Sequence, residues 1–340
     1  MEKKAKRISK KLKEKIITAG VVLNKGARAG KSALNGMIGD SLQKNVKPLS
    51  IRMQFFHNNQ ILELDKKNLK VTFPDASSGI CILIHGLLTD ESLFDFPGEK
   101  GVNYGSLVQK DFGFTSLYLR YNSGLHISEN GNLLSIILDE LIKEYPVKVT
   151  KIVFIGHSMG GLVIHSALDY AEKNKSGWIK KVKKVFLLGS PHLGAPLEKF
   201  SNLASGILKI LPVPFTKLSR NILNFRSSGI KDLRFGYTSE DDWAGKNPDA
   251  ILENNRTGIR LQPGIEYFVI TGTISKNPES FLSGWIGDSL VRKPSAHGKS
   301  IHKEKSIPFP EENLKEFPGI SHMRLAHSKK IYEQLKIWID

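Results

Sequence analysis

Residues 151–171 read KIVFIGHSMGGLVIHSALDYA, and the order of events in this stretch decides the architecture. Lys151–Gly156 is a short apolar run with the character of a buried strand. It passes through His157 and Ser158 into a helical pattern over 159–173. A serine in Gly156-His157-Ser158-Met159-Gly160 that lies between strand and helix sits on a sharp turn, with its Oγ projecting above the sheet. Glycines at 156, 160 and 161 remove the Cβ atoms that would collide around such a turn. The helix beginning at 159 turns its positive end toward charge that forms beside the serine. A plain N-cap serine would need none of these glycines. The reading is a nucleophile.

Working outward, the same alternation repeats. Gly79–His85 (GICILIH) reads as a continuous apolar strand, followed by a helix near 103–111. Thr115–Tyr121 is a strand and 127–144 a helix with Leu133, Leu134, Ile137, Leu138 and Leu141 in helical register. Lys184–Gly189 and Ile265–Gly272 are later strands, and 323–339 reads as a closing helix. Apolar strands separated by helices need helices on both faces, which predicts an α/β fold with a doubly wound, mostly parallel sheet. Residues 50–56 and 60–64 predict a hairpin around His57-Asn58-Asn59. The rhythm lapses over 192–260, which reads as a cap inserted over the C-terminal edge of the sheet, where open α/β folds place ligands.

A serine hydroxyl needs a base, and the base a carboxylate to orient it. On a sheet with this strand–serine–helix turn the chain order is Ser, then Asp or Glu, then His. Asp288, in the turn Gly287-Asp288-Ser289-Leu290-Val291, is the expected acid; Asp232, Asp241 and Asp242 are weaker candidates. His322, between Leu314–Pro318 and the last helix, is the expected base. His327 reads as structural, and His297 and His302 as solvent-exposed in a lysine-rich loop. The backbone N–H groups of Met159 and Leu87 are the expected oxyanion donors. Gly86 lets the backbone approach the substrate, and His85 is a positioning residue.

IHGL at 84–87, GHSMGG at 156–161, LGSPHLGAP at 188–196, GDSLV at 287–291 and the H-x-x-L beginning at His322 together resemble the α/β-hydrolase superfamily, and within it bacterial lipase-like serine esterases. The resemblance covers roughly 75–340, and Tyr121–His126 is a further stretch similar to that group. Ser158, Asp288 and His322 match its triad in order and context; Leu87 and Met159 match its oxyanion donors. The resemblance implies cleavage of carboxylic esters, of lipid or acyl type, through an acyl-serine. No cofactor is expected, and nothing in the sequence identifies a metal site such as one for calcium. The same triad would also serve an acyltransferase or thioesterase. A non-catalytic membrane-surface module is the competing class.

The chain has 340 residues and a net charge of +17. Residues 1–50 hold 13 Lys/Arg against 3 Asp/Glu, a local excess of +10. Ala5, Ile8, Leu12, Ile16, Ala19 and Leu23 fall within an arc of about 80° of a helix, with lysines around the rest. Residues 1–48 therefore read as a basic helical arm ahead of a catalytic domain at 49–340. The arm either docks on that domain or lies on an anionic membrane through residues 3–24. No secretion signal or membrane span is readable, so a cytoplasmic setting is expected. KGARAGKS at 25–32 has one residue too few between its glycines for a phosphate loop. The arm lacks the interleaved aromatics of a nucleic-acid binder. Cys81, the single cysteine, excludes an internal disulfide and a multi-thiolate zinc site, and reads as a buried small hydrophobe.

Overall fold

The computed structural model describes residues 51–58, 60–196, 227–246, 255–273, 291–300 and 305–340. The expected arm, the 197–226 and 247–254 parts of the expected cap, Asp288 and His302 lie outside the described residues. Eight strands run in chain order: β1 (Gln54–His57), β2 (Gln60–Ile61), β3 (Gly79–Ile84), β4 (Thr115–Arg120), β5 (Lys151–His157), β6 (Val182–Leu188), β7 (Glu266–Thr273) and β8 (Leu314–Pro318). The described helices are α1 (Lys66–Thr72), α2 (Tyr104–Phe112), α3 (Ile127–Glu144), α4 (Met159–Lys173), α5 (Ser228–Phe235), α6 (Lys293–Ala296) and α7 (Lys329–Ile339).

One sheet contains all eight strands, in the order β2-β1-β4-β3-β5-β6-β7-β8. The β1 pairings to β2 and β4 are antiparallel and the rest are parallel. Side chains alternate across each strand, so a strand covered on both faces must be apolar at every position. Ile80, Ile82 and Ile84 of β3, with Ile152 and Phe154 of β5, pack into one core against Leu134, Leu138 and Leu141 of α3 and Leu162 and Val163 of α4. Cys81, Leu83, Val153 and Ile155 point the other way, into a core with Val108 of α2 and Ile331 and Leu335 of α7. Cys81 is fully buried, and burial pushes its thiol pKa far up. This is the doubly wound α/β arrangement that the alternation predicts.

The structure departs from the sequence reading at four places. The closing helix is not continuous over 323–339: a 3₁₀ turn (Met323–Ala326) precedes α7. The Tyr104 hydroxyl donates to the Leu325 carbonyl at 2.8 Å and accepts from the Ser328 N–H at 2.9 Å, so a side chain over two hundred residues upstream divides the helix. The hairpin forms with β2 only two residues long. Helix α1, capped by Asp65 accepting from the Asn68 N–H, has a single buried residue, Leu69, and too little apolar periodicity to be seen. His297 is buried rather than exposed; its Nε2 lies 3.3 Å from the Thr271 hydroxyl.

Of the expected cap, α5 is described, and it seats directly on the body. A Cβ on Gly229 would lie 2.2 Å from the Ser123 carbonyl oxygen. Asp232 is buried and accepts from the Ile127 N–H at 2.8 Å, at the start of α3, and from His126 Nδ1 at 3.1 Å. The His126 ring stacks on Trp243, centroids 3.7 Å apart. Burial raises the Asp232 pKa, opposed by the His126 hydrogen bond. Removing this carboxylate strands the His126 ring and the first amide of α3. Asp232→Ala should therefore lower unfolding stability by about 3 kcal/mol, whereas Asp241→Ala, at an exposed position, should change it by less than about 0.5 kcal/mol. Denaturant unfolding of both variants checks this; equal effects would refute the anchoring role of Asp232.

Candidate active site

β5 ends at the centre of the sheet and hands directly to α4 through Ser158. The serine has φ 52° and ψ −120°, in the left-handed region that non-glycine residues avoid. Its N–H donates to the Leu188 carbonyl at 2.8 Å, and its carbonyl accepts from the Gly161 N–H at 3.1 Å. The turn is possible because its neighbours lack side chains. A Cβ on Gly160 would lie 2.3 Å from the Ile84 carbonyl oxygen, and one on Gly156 would lie 2.8 Å from the Gly161 backbone. Met159, as the first residue of α4, has no carbonyl one turn back within the helix, which leaves its N–H available beside the serine.

The loop after β3 meets this turn. A Cβ on Gly86 would lie 3.1 Å from Ser158 Cβ, so the loop carrying the Leu87 N–H runs against that serine. His85 fixes that loop. Its ring is fully buried and held neutral, since burial lowers its pKa. Nδ1 donates to the Gly86 carbonyl at 2.8 Å, leaving Nε2 to accept from the Tyr121 N–H at 3.4 Å. Tyr121 stacks on the His85 ring and donates its hydroxyl to the His85 carbonyl at 2.9 Å. The Leu88 N–H donates to Ser123 Oγ, and Thr89 Oγ1 to the Gly86 carbonyl. Tyr121, Ser123 and Thr89 received no role from the sequence. For the first two, the available signal was their place at the C-terminal end of β4, the parallel neighbour of β3.

His322 follows β8 and opens the 3₁₀ turn; it is buried, and its carbonyl accepts from His157 Nε2 at 2.9 Å. The rings of His157 and His322 lie 4.8 Å apart. The structure thus brings the expected base against the residue that precedes the expected nucleophile. His327 is structural, with Nδ1 donating to the Leu93 carbonyl at 2.9 Å. Asp242 accepts from the N–H groups of Thr238, Ser239 and Thr257, and Asp232 from His126 and Ile127. Both carboxylates are committed to holding loops. Among the described residues, no group of three or more His, Cys, Asp or Glu could hold a metal ion, and no helix is long and apolar enough to cross a membrane.

A mostly parallel doubly wound sheet, a strained serine where its central strand turns into a helix, and a histidine loop after the last strand are the marks of the α/β-hydrolase fold. Residues 75–228 match the family described as "Putative serine esterase (DUF676)". Solved structures similar to this chain include the mature form of the Bacillus licheniformis lipase BlEst2, at 18% identity, covering 75% of this chain and 91% of that one, with a TM-score of 0.45. A lipase-esterase related protein from Clostridium acetobutylicum is 15% identical over 77% of this chain and 94% of that one, at a TM-score of 0.40. An α/β-hydrolase fold protein from Chitinophaga pinensis is 13% identical over 78% and 90%, at 0.41. No curated protein matches the sequence.

Burial acts on five of the buried histidines among the described residues. Burial lowers the pKa of each: His85 is lowered, His157 and His165 fall well below the ordinary value, and His192 and His297 fall to about 4. A histidine whose folded pKa is depressed stabilises the fold fully above its unfolded pKa, near 6.5, and loses that contribution as pH falls through the folded value. His192 and His297 should each forfeit on the order of 3 kcal/mol between about pH 6.5 and pH 4. The melting temperature should fall steeply over that window and stay nearly flat from pH 7 to 8. A melting temperature constant down to pH 4.5 would contradict the buried neutral assignment.

Proposed function

We propose that the protein hydrolyses carboxylic esters of lipid or acyl type through an acyl intermediate on Ser158. The observation that carries this reading is the left-handed backbone of Ser158, φ 52°, at the junction of β5 and α4. His322 takes the Oγ proton as Oγ attacks the ester carbonyl carbon, and the N–H groups of Leu87 and Met159 meet the charge that develops on the carbonyl oxygen. His322 returns the proton to the departing alcohol. Water then attacks the acyl-serine with His322 again as base, releasing the acid and restoring the serine. Asp288 is assigned as the acid that orients His322, from chain order alone. Transfer to another acceptor, as in an acyltransferase, or cleavage of a thioester would share the first half of this cycle.

A chain-length series of p-nitrophenyl esters tests the reading. Ser158→Ala should abolish turnover, and His322→Ala and Asp288→Asn should each reduce it at least about a hundredfold. Turnover independent of Ser158 would sink the mechanism, and a normal rate in Asp288→Asn would remove that residue from the triad.

Residues 3–24 are assigned to the anionic face of a membrane, the cytoplasmic leaflet, where lipid esters are at hand. Each lysine near such a surface contributes about 1 kcal/mol, screened over about 8–10 Å at physiological salt. Full-length protein should co-sediment with anionic vesicles at low salt and be released at high salt, while a variant lacking residues 1–24 should stay in the supernatant. If both forms fail to bind at low salt, the arm has another use.

A further inference from the structure

We propose that His157 is a positioning residue for catalysis: it seats the base His322 against Ser158 through a hydrogen bond to the base's own backbone. The inference rests on the acyl-serine reading and adds a residue to it. His157 is 1% exposed and closes β5, in register with Leu188 of β6. Nε2 donates to the His322 carbonyl at 2.9 Å. The same carbonyl accepts from the Leu325 N–H at 3.2 Å, so one oxygen is fixed both by its own 3₁₀ turn and by the nucleophile's strand. Fixing that carbonyl fixes the backbone of His322 and with it the direction of its Cα–Cβ bond.

The other edge of the ring faces the oxyanion loop. A Cβ on Gly86 would lie 3.0 Å from His157 Nδ1, so the ring fills a slot between the Gly86 loop and the His322 loop. Nδ1 is buried with no hydrogen-bond partner. A buried nitrogen left without a partner is a cost that an apolar side chain would avoid. The ring's retained polar use is therefore the Nε2 proton on the His322 carbonyl. Burial and the neighbouring His322 both disfavour a charged His157, which leaves one proton on the ring, and the His322 carbonyl, which can only accept, fixes that proton on Nε2. A displacement of the base by about 1 Å can cost about a hundredfold in rate, so the contact bears on turnover and not on binding.

Glutamine and asparagine separate the donor from the bulk. The side-chain nitrogen of Gln stands as many bonds from Cα as Nε2 of His, whereas that of Asn stands where Nδ1 does. His157→Asn should lower kcat for a p-nitrophenyl ester by about ten- to a hundredfold with KM within about threefold of the parent. His157→Gln should recover at least about tenfold of that loss, with the two variants melting within a few degrees of each other. Parental kcat in His157→Asn, or an equal loss in both variants, overturns the inference. Should His157→Asn fail to fold, His157→Gln decides alone: kcat below about a tenth of the parent overturns the inference, and a higher value supports it. Ser158→Ala run alongside distinguishes the two levels. Turnover that survives it overturns the acyl-serine reading itself, whereas turnover lost there but kept in His157→Asn overturns only the role of His157.

Discussion

Everything at the candidate site depends on Ser158 being held at positive φ. A non-glycine residue in that region costs about 1–3 kcal/mol and persists only where its surroundings over-determine it. Here the constraint comes from both sides of the turn. The Leu188 carbonyl fixes the serine's N–H from β6, and α4 is pressed against the end of β3 so closely that position 160 admits no side chain. β3 and β6 are the two strands that flank β5. The strain is thus supported by the sheet itself. In a parallel sheet these strands also end on the same edge, which is why the loop after β3 arrives beside the serine without any dedicated device.

That dependence explains what was legible in the sequence. The central strands are apolar at every position because both faces are covered, so β3, β5 and β6 announce themselves, and the glycines at 156, 160 and 161 mark the turn. Helix α3 matches its expected span of 127–144. Helix α1 did not announce itself, because one buried leucine gives no period. The broken closing helix was hidden for a different reason: 323–339 has helical periodicity throughout, and the break is imposed by Tyr104 from another part of the chain. His297 was misread because lysines surround it in sequence while β7 covers it in space.

The site residues divide along the same line. Ser158 and the loop 85–88 are specified by sequence neighbours and could be read directly. Their supports could not. Tyr121 serves by stacking on His85, thirty-six positions earlier, and Asp232 serves by reaching the first amide of α3, 105 positions earlier, from within the expected cap. Asp232 and Asp242 looked like possible catalytic acids because a lone aspartate in a loop carries no mark of its job. Only their partners distinguish an anchor from an acid.

Loops at the C-terminal edge of a parallel sheet leave the hydrogen-bond ladder, and their carbonyls need donors from elsewhere once they are buried. This chain supplies many of those donors from neutral imidazoles. His85 donates to Gly86, His157 to His322 and His192 to Ala296, each to a backbone carbonyl. A buried lysine or arginine in these places would carry a charge into the interior at a cost of several kcal/mol. A serine or threonine has a shorter reach and serves where loops already touch, as Ser295 Oγ does toward the Gly194 carbonyl at 2.6 Å. A neutral imidazole donates one hydrogen bond at longer reach and carries no charge. Its second nitrogen is then left over, and at His157 and His192 that nitrogen is buried without a partner. The same choice that lets the loops stand close around Ser158 also makes the fold acid-sensitive, because protonating these rings would introduce the charges that the arrangement avoids.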